Sequence, residues 1–136
     1  MAKILVAGSD PVETNTRALL VEFAGYQCET AESLDEALRI LTDGLIDVTI
    51  ADTSICGSNP EALMLFKEAA PQTRLLLLSE TAEKAPGADH VLALPCTPED
   101  LFEAIQSLTG ERSSYAAHLP QSWRPTLETL AKRKPA

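Results

Sequence analysis

Asp47-Val48-Thr49-Ile50-Ala51-Asp52-Thr53-Ser54-Ile55-Cys56-Gly57 is the stretch on which the reading of this chain turns. A short β-prone run ends in a carboxylate, and a turn-prone Ser-Ile-Cys-Gly follows. Val48, Ile50 and their apolar neighbours fit a buried strand bounded by turn signals. Asp52 then stands at the carboxyl end of that strand. In an open parallel sheet, ligands and chemistry collect in the crevice outside those ends. The neighbours of Asp52 therefore decide what the chain does.

Working outward, Lys3–Ala7 is a continuous apolar run, the pattern of a strand covered on both faces. Asp10-Pro11-Val12-Glu13 starts a helix: Asp10 as N-cap, Pro11 at the first helical position, Glu13 at capping-box-like spacing. Gly25 ends it. Tyr26–Thr30 reads as a second strand. Ser33-Leu34-Asp35-Glu36 is a second capping box, with Ala37, Leu38, Ile40 and Leu41 as the buried stripe and Gly44 as the stop. Ile46–Ala51 is the third strand, and Ser58-Asn59-Pro60-Glu61 opens a third helix running to about Ala70. Arg74–Ser79 is a fourth strand and Val91–Leu94 a fifth. Thr97-Pro98-Glu99-Asp100 opens a last helix, which Gly110 closes. Strands alternating with helices predict a parallel sheet with helices on both faces. Between Ser79 and Val91, Pro86-Gly87 leaves space for one or two helical turns, so the fourth crossover helix is expected to be short or absent.

A chain of 136 residues fits one domain with a real core. Residues 1–110 hold 6 Lys/Arg against 18 Asp/Glu, and residues 111–136 hold 5 against 2. This contrast marks a boundary near Gly110: a domain over 1–110, then a polar linker and short basic tail over 111–136. An acidic body disfavours nucleic-acid binding. No run approaches the ~20 apolar residues that span a bilayer, and Met1-Ala2-Lys3 before the first strand is too short for a signal peptide. Cys28, Cys56 and Cys96 show no metal-binding or disulfide spacing, so the expected location is the cytoplasm.

The chain resembles the response-regulator receiver domain of two-component signalling over roughly residues 2–110. The resemblance rests on Lys3-Ile4-Leu5-Val6 with Asp10-Pro11, Gly25-Tyr26, Glu36-Ala37-Leu38, Asp47 through Asp52 with Gly57, the apolar strand ending in Ser79, Gly87-Ala88-Asp89 and Leu94-Pro95. It implies a flavodoxin-like, doubly wound five-stranded sheet of order 2-1-3-4-5. It also implies phosphoryl transfer from a histidine kinase to an aspartate with bound Mg²⁺. Asp52 takes the phospho-acceptor position and Ser79 the hydroxyl that contacts the phosphoryl group. The Ser54 backbone lies where a metal-ligating carbonyl would be.

Four positions depart from the family pattern. Gly8 and Ser9 stand where two carboxylates would hold Mg²⁺, a hard ion needing several oxygen ligands. Leu94 replaces the lysine before the proline, and Val91 the switch aromatic. Phosphoryl transfer is mostly positioning and charge stabilisation, so these losses remove most of the catalysis. The expected protein is an atypical, stand-alone receiver-like domain, not an enzyme. It would act by phosphorylation-independent contact with a signalling protein or sensor kinase, with no nucleic acid and no membrane, as a monomer or weak dimer. No cofactor is expected; Mg²⁺ enters only in the rival reading, a phosphorylatable regulator using Asp10 and Asp52. A second rival is a flavodoxin-like domain binding a nucleotide or other small molecule, although Gly8 belongs to no dinucleotide fingerprint.

Each singled-out residue also has a structural reading. Asp10 serves as an N-cap, and Asp52 hydrogen-bonds to nearby amides or to Ser9. Ser79 satisfies backbone groups. Cys56 and Cys96 are ordinary small core residues rather than a redox pair, and His90 is solvated. In the tail, Pro125–Lys134 carries Leu127, Leu130 and Ala131 at helical spacing. Trp123 before it is a docking candidate, set against a tail that is disordered or packs loosely on its own body.

Overall fold

The computed structural model describes residues 2–56, 61–81 and 87–110, with Cys56 as backbone alone. Its elements are β1 (Lys3–Ala7), α1 (Pro11–Phe23), β2 (Gln27–Ala31), α2 (Leu34–Asp43), β3 (Val48–Asp52), α3 (Thr53–Cys56), α4 (Ala62–Ala69), β4 (Arg74–Ser79), β5 (His90–Ala93) and α5 (Pro98–Thr109). The five strands form one parallel sheet in the order β2-β1-β3-β4-β5, the flavodoxin-like winding expected from the sequence.

The period of two along each strand divides the core. Ile4 and Val6 of β1, Val48 and Ile50 of β3 and Leu76 and Leu78 of β4 pack on one face. There they meet Ala18 and Val21 of α1 and Leu101, Phe102 and Ile105 of α5. Leu5, Ala7, Ala51, Leu75 and Leu77 pack on the other, with Ala37 and Leu41 of α2, Ile55 of α3 and Leu63 and Phe66 of α4. Gly8 and Asp52 continue the first alternation, so both face α1.

The helix ends follow their signals. The Asp10 carboxylate accepts from the Val12 and Glu13 amides. Ser33 Oγ accepts from the Glu36 amide, but the Glu36 carboxylate reaches the Glu32 amide rather than that of Ser33, so that box is only half closed. Thr97 and Asp100 form the complete reciprocal box of α5.

Three strand boundaries move by one or two residues. β3 starts at Val48: the Asp47 backbone still bonds Lys3 and Arg74 on its two sides, but the Ile46 carbonyl before it accepts from the Thr73 hydroxyl. β2 starts at Gln27, after Tyr26 turns in to bond the Val21 carbonyl. β5 starts at His90, paired with Leu76. Where Ser54-Ile55-Cys56-Gly57 reads as turn-prone, Thr53–Cys56 closes one helical turn. The Ser58-Asn59-Pro60 helix start, Pro86 with the rudimentary crossover helix, the Cys56 side chain and the tail with Trp123 lie outside the described residues. Among the described residues, no helix is long and apolar enough to cross a membrane.

Candidate functional site

Asp52 ends β3 and is 8% exposed. Its two carboxylate oxygens have separate partners. Oδ1 accepts from the Ser54 amide at 3.0 Å, a contact created by the tight entry into α3. Oδ2 accepts from Arg17 Nη1 at 2.8 Å. Arg17 also approaches Glu13 one turn earlier, at 3.7 Å. Burial pushes the Asp52 carboxyl up. The Ser54 amide and then the Arg17 guanidinium outweigh it and hold the group below the usual carboxylate range.

Arg17 is the residue that the sequence reading missed, and it corrects the expectation of a crevice without a cation. Its signal was present: Thr14, Ala18 and Val21 are the buried positions of α1, and Arg17 lies between them on the inward stripe. A charged residue there has to find a partner near the strand ends. Glu13, read as part of a capping box, faces this guanidinium instead.

Gly8 is filled in around the same point. A Cβ added there would meet Thr14 Oγ1 at 2.8 Å, Asp52 Cβ at 3.6 Å and Arg17 Nη1 at 3.9 Å. The Thr14 hydroxyl itself donates to the Gly8 carbonyl at 3.0 Å. Any side chain at position 8 therefore collides with a hydroxyl committed to the backbone beneath it. Ser9 is joined to Ser54 rather than to Asp52: its amide donates to Ser54 Oγ at 3.3 Å.

The remaining singled-out residues are spread around this pair. Ser79 Oγ is 3.0 Å from Thr81 Oγ1 and accepts from the Thr81 amide, a local turn at the end of β4. Leu94 packs against the α1–α5 core and Val91 against the other one. Asp10 spends one carboxylate oxygen on the α1 amides, the capping role. Burial raises the Cys96 thiol, with Arg17 opposing and Asp100 adding to the rise. His90 is exposed. Asp89 beside it bonds Lys67 and the Leu75 amide, locking the β5 approach to β4.

These donors do not fit Mg²⁺. An octahedral site needs several free oxygens. Here one Asp52 oxygen is held by a guanidinium, position 8 has no side chain and no space for one, and Ser9 adds a neutral hydroxyl. Among the described residues, no three acidic, His or Cys side chains gather at one point. The arrangement neutralises a carboxylate from within the chain.

No protein-family model matches this sequence, and no curated protein matches it. Solved structures do. A response regulator receiver domain protein from Clostridium thermocellum is 31% identical, with a TM-score of 0.72 over 81% of this chain and 95% of that one. Chemotaxis protein CheY4 of Vibrio cholerae is 26% identical, with a TM-score of 0.68 over 79% and 98%. The receiver domain of a sensor histidine kinase from Pseudomonas aeruginosa, solved with a magnesium ion in its active site cleft, reaches a TM-score of 0.71 over 81% and 98%. At 18% identity that last likeness speaks to the fold alone. Strand order, Asp52 at the crevice and these matches converge: the chain belongs to the response-regulator receiver family of two-component signalling.

Proposed function

We propose that this chain is an atypical receiver that works by protein–protein contact without being phosphorylated, and that it turns over no substrate. One observation carries the reading. Arg17 holds Asp52 at 2.8 Å, while Thr14 closes the space at Gly8 where a metal-binding carboxylate would start. A phospho-acceptor has to attack with that carboxylate while cations hold the transferring oxygens. Here the oxygen is engaged, the metal ligands are missing and Leu94 supplies no charge. The partner is a signalling protein or sensor kinase, met in the cytoplasm by a monomer or weak dimer. The acidic body argues against nucleic acid.

A second reading has its own support. Asp52 is retained, and Arg17 is a cation within reach of any anion formed on it. Acetyl phosphate with Mg²⁺, read by intact mass, separates the two. The proposal expects no stoichiometric adduct. A full adduct that Asp52→Asn abolishes would overturn it in favour of a phosphorylatable regulator. Thermal-shift titration with nucleotides and flavins checks the small-molecule reading, and no saturable shift is expected.

A further inference from the structure

The outer surface of α1 is unusually apolar. Val12, Leu19 and Phe23 are 74%, 64% and 42% exposed. Their spacing of seven and four places them on one stripe of the helix, away from the inward Thr14–Ala18–Val21 stripe. Beside the stripe runs a groove of about 630 Å³, lined by Asn15, Leu19 and Glu22 of α1 and by Cys28, Glu29 and Thr30 of β2. Among the described residues β2 is an edge strand, so the outer rim of the groove is also a row of backbone groups without a neighbouring strand there. The groove is acidic. Burial, Glu22 and Glu29 together push the Cys28 thiol up to about 12, although Lys3 pairs with Glu29 at 3.1 Å. An exposed apolar stripe beside a polar, acidic groove suits a partner that is both apolar and basic.

Residues 111–136 have this chemistry. They carry five Lys/Arg against two Asp/Glu, and place Trp123, Leu127 and Leu130 ahead of Lys132-Arg133-Lys134. They leave the domain at Gly110, the end of α5, and α5 shares one face of the sheet with α1. The 13 residues from Gly110 to Trp123 reach about 45 Å when extended. A domain of this size has a radius of gyration of only about 13 Å, so the groove is within range.

We propose that the segment around Trp123–Lys134 docks, within the same molecule, on the groove between α1 and β2. Trp123 and the two leucines cover Leu19 and Phe23, and the basic cluster faces Glu22 and Glu29. The segment then competes with any outside protein for the α1 surface, which goes beyond the reading of the Asp52 site and does not depend on it.

Trp123 is the only tryptophan in the chain, so its fluorescence reports the docked state without a label. The experiment is acrylamide quenching of the full-length protein against the same protein in urea, with Leu19→Glu, Glu22→Lys and a Lys132→Glu/Arg133→Glu variant alongside. Both groove positions are exposed, so far-UV circular dichroism is expected to stay native in all three. The expected result is a Trp123 protected in wild type, exposed in each variant, and equally protected at every protein concentration. A wild-type Trp123 quenched as freely as in urea would overturn the proposal. Protection that survives both groove variants would also overturn it, as would protection that fades on dilution, which would assign the groove to a second copy.

Discussion

Replacing Arg17 with methionine keeps most of the apolar stem and removes only the guanidinium. Asp52 is then left with the Ser54 amide at 3.0 Å and loses its partner at 2.8 Å. A hydrogen bond to a charged group contributes roughly 1.5–3 kcal/mol, and breaking a fully buried ion pair costs roughly 3–5 kcal/mol. The two side chains are 16% and 11% exposed, which places this pair near the lower range, at about 2–3 kcal/mol. For a domain of this size that lowers Tm by roughly 8–12 °C. The dependence on pH has a fixed sign. Asp52 is held below its ordinary value, so its contribution is complete above about pH 3.9 and is lost as pH falls through the lowered folded value. Urea unfolding followed by circular dichroism from neutral pH down to about 2 should therefore show wild type losing its margin over Arg17→Met only at the acid end. A double-mutant cycle with Asp52→Asn isolates the pair, with an expected coupling of about 1–3 kcal/mol at neutral pH. A coupling below about 0.5 kcal/mol, or a margin indifferent to acid, would refute the claim that Arg17 neutralises Asp52.

Three other substitutions probe the neighbourhood. Gly8→Ala brings a Cβ to 2.8 Å from Thr14 Oγ1 and should cost about 1–3 kcal/mol; urea midpoints should show much of that cost absent in a Thr14→Ala background. Asp10→Ala should lower stability by about 0.5–2 kcal/mol while Asp10→Asn stays close to wild type in thermal melts, because the Val12 and Glu13 amides need an acceptor rather than a charge. Cys28, kept as the sole cysteine, should react with an aromatic disulfide in the native protein roughly 30-fold or more slowly than in urea. A thiol raised from 9.0 to about 12 forms little thiolate, and its greater intrinsic nucleophilicity offsets only part of that loss.

Most of the fold was written in local terms. Leu75–Leu78 is an unbroken apolar run between Arg74 and Ser79, flanked by Pro71 and a polar loop, so β4 could be placed to the residue. Helix starts were legible because Asp10, Ser33 and Thr97 cap their own amides. Boundaries slipped where a distant residue intervened, as when Thr73 takes the Ile46 carbonyl. The site was half legible for the same reason. The carboxyl end of a strand put Asp52 at the crevice, and the resemblance to receivers marked Gly8 as the place of a missing carboxylate. The partner of Asp52 lies 35 residues away. Arg17 announces itself only once α1 is wound and its inward stripe is known, because a one-dimensional scan for charge looks at strand ends rather than along a helix.

The Gly8 contact sets the direction in which this site can change. An acidic side chain at position 8 alone brings its Cβ to 2.8 Å from Thr14 Oγ1, and one at position 9 alone leaves the guanidinium where it is. Loss of Arg17 alone strands Asp52 without a counter-charge. Two of these three single steps therefore cost stability and the third leaves the counter-charge in place, so only several together would build a cation-binding pocket. The packing around one glycine keeps a cation site out of reach of any one substitution.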